Sequence, residues 1–143
     1  MQMQIAAATA GWAFSIPSTI LTHSLAHCVG AKYNIHHGTL CGLFLPHVMR
    51  FNENHCPDEL ALIAGALGVA EPGMTTEQAA RAAADGVSHL LKRIGLPLCL
   101  RDLNIDESDI PMIALDAMTE IPTLANPRKC TVPLIEGVII EAF

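Results

Sequence analysis

Apolar residues recur every three or four positions along most of this chain, and no stretch sustains the apolar-polar alternation, rich in Val, Ile and Thr, that a sheet requires. That periodicity points to an all-α fold. With 143 residues the chain is about one domain long and can bury a sizeable core without staples. It has no internal repeat, low-complexity tract or linker, so residues 1–143 read as a single all-helical domain.

Helix start and stop signals divide the chain. A first helix over about 2–15 is apolar almost all round, has no capping residue before it and ends where Pro17 forbids continuation. It reads as a helix cut in the middle. Ser18 is the expected N-cap of a second helix that runs to Gly30, whose missing Cβ suits a left-handed C-terminal position. Residues 31–36 then form a short connection. A third helix covers about 37–52, with Leu40, Leu43, Phe44, His47, Val48 and Phe51 on one face and a kink expected at Pro46.

Residues 58–67 follow Pro57 as a fourth helix that stops at Gly68, and Thr75-Thr76-Glu77-Gln78 reads as a capping box opening a long helix to about 94–95. Ala79, Ala83, Val87, Leu90 and Leu91 are its expected buried stripe. Residues 97–109 read as a loop with a turn, 110–119 as a helix, 122–128 as a turn-rich segment and 132–142 as the last helix.

Composition narrows the function classes. Only 8 Lys+Arg, a net charge of -6 and 4% aromatic residues argue against nucleic acid and anionic membranes, because phosphate neutralisation and base stacking both lack their groups. The longest apolar run, around residues 5–16, is broken by Thr9 and Ser15 and falls short of the roughly 18 to 20 residues that span a bilayer. No Lys or Arg precedes Lys32, so a signal peptide's positive region is missing and the cytoplasm is the expected location. The five scattered cysteines form no C-x-x-C pair and read as buried free thiols. A chain 51% hydrophobic and 15% charged has apolar surface to spare for a partner, a second copy of itself included.

Four of the seven histidines fall within fifteen positions, at His23, His27, His36 and His37. His23 and His27, four apart, share a helix face, and a helix hairpin would bring His36 and His37 back toward it. Neutral imidazole suits Zn, Fe, Cu and Ni, and a histidine-bound divalent ion often takes a carboxylate or thiolate as well. No further donor stands between His23 and Gly38 except Cys28, which lies about 100° round the helix from His27 and points away. Glu53 and Asp58 are more distant candidates. The residues alone leave two readings open: ligands of one ion, or core histidines bonded to backbone carbonyls. His47 and His55 read as polar groups at helix ends, and His89 as a surface or boundary residue.

The string His23-x-x-x-His27-x-x-Gly30-x-x-x-Asn34-x-x-His37-Gly38, followed by Leu45-Pro46-His47-Val48-x-x-Phe51-Asn52, resembles the signature of the iron-dependent (group III) alcohol dehydrogenases. Looser likeness runs through Ile94-Gly95-Leu96-Pro97, Leu100-Arg101-Asp102-Leu103, Asp109-Ile110-Pro111 and Asn126-Pro127-Arg128, and so covers essentially the whole chain. The resemblance implies a helical bundle like the C-terminal domain of dehydroquinate synthase-like proteins and iron alcohol dehydrogenases. In that family an upstream α/β domain binds NAD(P), and an Asp and a His on an earlier helix complete the metal site. It further implies that His23 and His37 are ligands of a divalent metal, Fe2+ foremost and Zn2+ as alternative, and that His27 stands near metal and nicotinamide as a catalytic and cofactor-contacting residue. This chain then looks like the later, metal-binding part of such an enzyme, inactive alone, with its nucleotide-binding domain and two ligands before Met1.

Two departures stand out: the family's usual Pro before the second ligand is His36 here, and a turn that commonly reads T-G-x-N-P-R reads Thr123-Leu-Ala-Asn126-Pro127-Arg128. The absence of a G-x-G-x-x-G loop points away from nucleotide binding by this chain alone. In the parent enzyme the metal acts as a Lewis acid on the oxygen of a small alcohol or aldehyde, hydride passes to or from NAD(P), and His27 accepts or relays the alcohol proton. Phe14, near the bend at Pro17, is a candidate wall of the substrate cleft. The competing reading is a stand-alone helical interaction or metal-binding module without catalysis.

Overall fold

A computed structural model describes residues 1–14 and 19–143. The described residues are helical with no strand: α1 (Gln2–Ala13), α2 (Leu21–Tyr33), α3 (His37–Asn52), α4 (Pro57–Leu67), α5 (Thr76–Arg93), α6 (Ile110–Thr119), the single turn α7 (Ile121–Leu124) and α8 (Val132–Glu141). Two 3-10 turns, Leu100–Leu103 and Glu107–Asp109, occupy the expected loop between α5 and α6. None of these helices is long and apolar enough to cross a membrane. The all-α expectation holds, whereas the expected helix end at Ser15, the stop at Pro17 and the Ser18 cap lie outside the described residues.

α2 departs from expectation at its other end. It continues one turn past Gly30 to Tyr33, and Asn34, at φ 52°, supplies the left-handed cap. Gly30 serves packing instead: a Cβ there would sit 3.3 Å from the Ile35 carbonyl oxygen and 3.4 Å from Leu40 Cδ1. The connection to α3 shrinks to three residues, so α3 folds straight back along α2. Tyr33 hydrogen-bonds Asp109 and accepts from the Asp106 N–H at 3.0 Å, while Lys32 Nζ lies 2.8 Å from Asp109 Oδ1, tying the end of α2 to the turn before α6.

Two apolar clusters flank α3. On one side Leu21, Leu25 and Val29 of α2 meet Leu40, Leu43, Phe44 and Val48 of α3, closed over by Ile113 and Ala117 of α6 and Ile135 and Ile139 of α8. On the other side Met49 packs with Leu60 and Ala64 of α4 and with Ala79, Ala83, Val87 and Leu91 of α5. The alanines let α5 lie close to α4, and the Thr75/Gln78 capping box opens it as expected. Leu90 falls off this stripe, at 42% exposure, because it stands one position before Leu91 and so about 100° round the helix. The thiols are also less buried than expected: Cys130 alone is buried, and Cys28, Cys41, Cys56 and Cys99 are half-buried. His47 lies inside α3, half-buried, hydrogen-bonded to the Leu98 backbone, with its pKa lowered by burial and by Arg50; it is not at a helix end.

Buried polar groups tie α3 to the chain before α8. Asn52 and Asn126 exchange amide hydrogen bonds at 3.0 and 2.8 Å, Asn126 also donates to the Arg128 carbonyl at 2.8 Å, and the Arg128 guanidinium covers the Phe51 ring at 4.3 Å. Asn52→Ala leaves the buried Asn126 side-chain oxygen without its donor and removes one of the amide's two acceptors, and should cost about 1–3 kcal/mol, read as a lowered urea midpoint; an unchanged midpoint would contradict this role. Thr22 behaves in the opposite way. Among the described residues its buried Oγ1 has no hydrogen-bond partner, so Thr22→Val, which keeps the shape and removes the orphaned hydroxyl, should raise the same midpoint or leave it unchanged. A clear loss of stability would show that the hydroxyl is satisfied.

Candidate metal and substrate site

The α2–α3 hairpin determines where the histidines go. His23 and His27 stand one turn apart on α2, His37 is the first residue of α3, and Cys41 follows one turn later. The rings converge: centroids lie 5.4 Å apart for His23 and His37, 6.2 Å for His23 and His27, and 5.2 Å for the nearly parallel pair His27 and His37. One donor atom each from His23, His37 and Cys41 lies within 4.8 Å of the other two. Cys41 Sγ is 3.3 Å from His37 Nε2.

This donor set fits a divalent transition metal. Two imidazoles and a thiol are borderline to soft donors of the kind Zn and Fe take. Burial first, then the neighbouring His37 and His27, lowers the pKa of His23 and so favours the neutral ring whose lone pair a cation needs. The mutual spacing lets one ion reach all three atoms. His36 lies outside the group; its ring sits over Gly38, where a Cβ would come within 3.1 Å of it. Glu53 and Asp58 lie outside it too, Glu53 beside Arg81 at 3.6 Å and Asp58 exposed in the first turn of α4.

Different clefts open on the two sides of the cluster. His23 faces an apolar cleft of about 420 Å3 walled by Phe14, Ile20, Cys41 and Leu45, with Thr22 in its lining. Phe14 is 48% exposed and its ring centroid is 6.3 Å from that of His23, so it is a cleft wall and not an ordinary core aromatic. His27 faces a more polar cleft of about 650 Å3 with Lys32, Asp116, Thr119 and Glu120. His27 Nδ1 lies 3.1 Å from Glu120 Oε2. A carboxylate only accepts, so this contact puts the ring proton on Nδ1 and leaves the Nε2 lone pair free to take one.

The structure thus brings together His23, His27, His37 and Phe14 and leaves His36, Glu53 and Asp58 outside the group. It adds Cys41, which four-residue spacing from His37 would have revealed, and Glu120, which no local pattern could, since it meets His27 across 93 positions.

Known proteins carry the same arrangement of helices. Over 91% of its length the chain is similar to the lactaldehyde reductase of Escherichia coli (strain K12), with 38% identity over 130 residues that make up 34% of that protein. It is 35% identical, over 99% of its length and 36% of the relative's, to the 1,3-propanediol dehydrogenase of Citrobacter freundii. The alcohol dehydrogenase from Oenococcus oeni superposes with a TM-score of 0.91 at 29% identity, over 94% of this chain and 35% of that one. The chain therefore spans about a third of the length of the relatives it matches. Residues 1–143, its whole length, match the family described as Fe-containing alcohol dehydrogenase family, C-terminal, and the chain belongs to that family.

Proposed function

We propose that this chain is the metal-binding helical domain of an iron-dependent, NAD(P)-linked alcohol dehydrogenase that interconverts a small alcohol and its aldehyde in the cytoplasm. The observation that carries the reading is the convergence of His23 from α2 and His37 from α3 on one point, with donor atoms within 4.8 Å. In this reading the two histidines hold a divalent ion, Fe2+ or Zn2+, together with ligands from an upstream region that also carries the NAD(P)-binding α/β domain. When bound, the ion supplies Lewis acidity at the alcohol oxygen.

The chain's own residues do the rest of the work assigned to this half. His27 Nε2 accepts or relays the hydroxyl proton, and Glu120 holds the ring in the tautomer that leaves that nitrogen basic. The apolar cleft beside His23 takes the alcohol's carbon chain and keeps water from it, with Phe14 as one wall. The polar cleft on the His27 side faces the nicotinamide. α1 buries none of its residues, and Met3 and Ile5 are 80% and 61% exposed; the upstream region covers them in the intact enzyme.

In the intact, metal-loaded protein, His23→Ala or His37→Ala should lower kcat/KM for small alcohols by about 100-fold or more, since Lewis-acid stabilisation is worth several kcal/mol. Full NAD(P)-linked activity in either variant would overturn the ligand reading. Phe14→Ala should shift preference toward bulkier alcohols, measured as a ratio of kcat/KM values across a size series. An unchanged ratio with only lower stability would remove Phe14 from the substrate cleft.

A further inference from the structure

Among the described residues the buried polar side chains are Thr22, Ser24, Asn52, Thr123 and Asn126. Four of them have partners: Asn52 and Asn126 bond each other, and Thr123 Oγ1 lies 2.8 Å from Ser24 Oγ and 2.6 Å from the Ala117 carbonyl oxygen. Thr22 is the exception, 4% exposed and with no partner for its Oγ1. A buried hydroxyl left unpaired weakens a fold, so its surroundings call for an explanation. Thr22 stands one residue before His23 in the first turn of α2 and lines the apolar cleft of about 420 Å3 beside that histidine. It also lines a second apolar chamber, of about 260 Å3, walled by Met49, Leu60 and Ile63. Ile20, Thr22 and Leu45 belong to both linings, which places Thr22 at the junction of the two spaces. Thr19, the other hydroxyl of the first cleft, is only half-buried.

We propose that Thr22 is a specificity-determining residue whose hydroxyl binds a second oxygen on the substrate, so that the cleft selects a diol over the alkanol of the same chain length. This rests on the reading of the apolar cleft as the substrate site and names the substrate class within it. With the reacting oxygen at the histidines, the carbon chain lies along Phe14 and Leu45, and a second hydroxyl farther along it meets Thr22 at the junction. A threonine hydroxyl both donates and accepts, so it serves a substrate hydroxyl in either sense. In a helix threonine populates two χ1 rotamers, which exchange hydroxyl and methyl, so Oγ1 turns from its buried position into the cleft when an oxygen is there to meet it. An alkanol leaves this hydroxyl unpaired and a diol satisfies it; sites built to pair a substrate hydroxyl discriminate against analogues that lack one. In the empty protein the same hydroxyl costs stability, the trade expected of a group that serves binding.

The test uses the intact, metal-loaded protein and matched pairs of substrates: propanol, butanol and pentanol, each against its terminal diol. The readout is the ratio of kcat/KM for diol over alkanol within a pair. The parent protein should favour the diol in at least one pair. Thr22→Val, which keeps the shape and removes the hydroxyl, should lower that ratio by about tenfold, the worth of roughly one hydrogen bond. The loss should fall on the KM of the diol, because this bond is made in the ground state and the transition state alike. Thr22→Ser, which keeps the hydroxyl, should keep the ratio. A parent that favours the alkanol in every pair would overturn the proposal, as would an unchanged ratio in Thr22→Val. Equal losses for both members of a pair would overturn it too, since they mark a residue that only shapes the site. A fall in Thr19→Val and none in Thr22→Val would give the second oxygen to Thr19 instead. In all these cases the protein still turns over alcohols and the dehydrogenase reading stands; no NAD(P)-linked turnover of any alkanol or diol would overturn both.

Discussion

The close packing of α2 against α3 is the constraint on which the rest depends. It is built from Leu21, Leu25 and Val29 on one helix and Leu40, Leu43 and Phe44 on the other, all fully buried, and it is set in register by the three-residue turn through Asn34. Each such side chain contributes roughly 1.5–3 kcal/mol when removed from water, so the seam is far stronger than any single polar contact at the site. Gly30 belongs to the same device, since a Cβ there would meet the Ile35 carbonyl oxygen at 3.3 Å and Leu40 Cδ1 at 3.4 Å, a close fit that leaves little room for a larger side chain. Because His23, His27, His37 and Cys41 are carried by these two helices, their convergence is a by-product of hydrophobic packing. The imidazoles need no strong mutual interaction to stay together.

The site lies where two unlike environments meet. The cleft beside His23 is almost wholly apolar, while the one beside His27 carries Lys32, Asp116 and Glu120. In the proposed function the apolar cleft takes the carbon body of an alcohol and the polar cleft faces the nicotinamide, so the two clefts would sort the reactants by chemistry. Glu120 links this arrangement to the far end of the sequence: it is the N-cap residue of α7, and α7 is held against α2 by the Thr123 hydroxyl, which lies 2.8 Å from Ser24 Oγ. The orientation of His27 is therefore set by tertiary packing over long sequence distance, whereas the His37 to Cys41 contact is set within one helix turn.

Much of the fold was legible because its punctuation is local. Pro57 at the start of α4, Gly68 at its end, the Thr75 capping box and the Ile110-Pro111 start of α6 each act within a few residues, and each stands where the sequence puts it. α2 was misread at its end because Gly30 looked like a stop; a glycine required for close approach and a glycine required for a left-handed cap are the same letter, and Asn34 took the second role. Leu90 was assigned inward because two adjacent leucines both look apolar, although a helix can bury only one of them on a given face. At the site, the four-residue spacing of His23 and His27 showed a shared face, but the choice of His23 and His37 as ligands came from family likeness, and spacing alone did not select them. Glu120 was invisible for the reason that makes it informative: its partner is brought to it only by the completed fold.

The most direct measurement is zinc-edge X-ray absorption fine structure on the zinc-loaded intact protein, which reads the atoms around the ion without reference to activity. The hairpin site predicts nitrogen scatterers at about 2.0–2.1 Å with the outer-shell pattern of imidazole rings, reduced in His23→Ala. A first shell of oxygen alone, with no imidazole signature, would contradict the claim that the α2–α3 hairpin is a metal site.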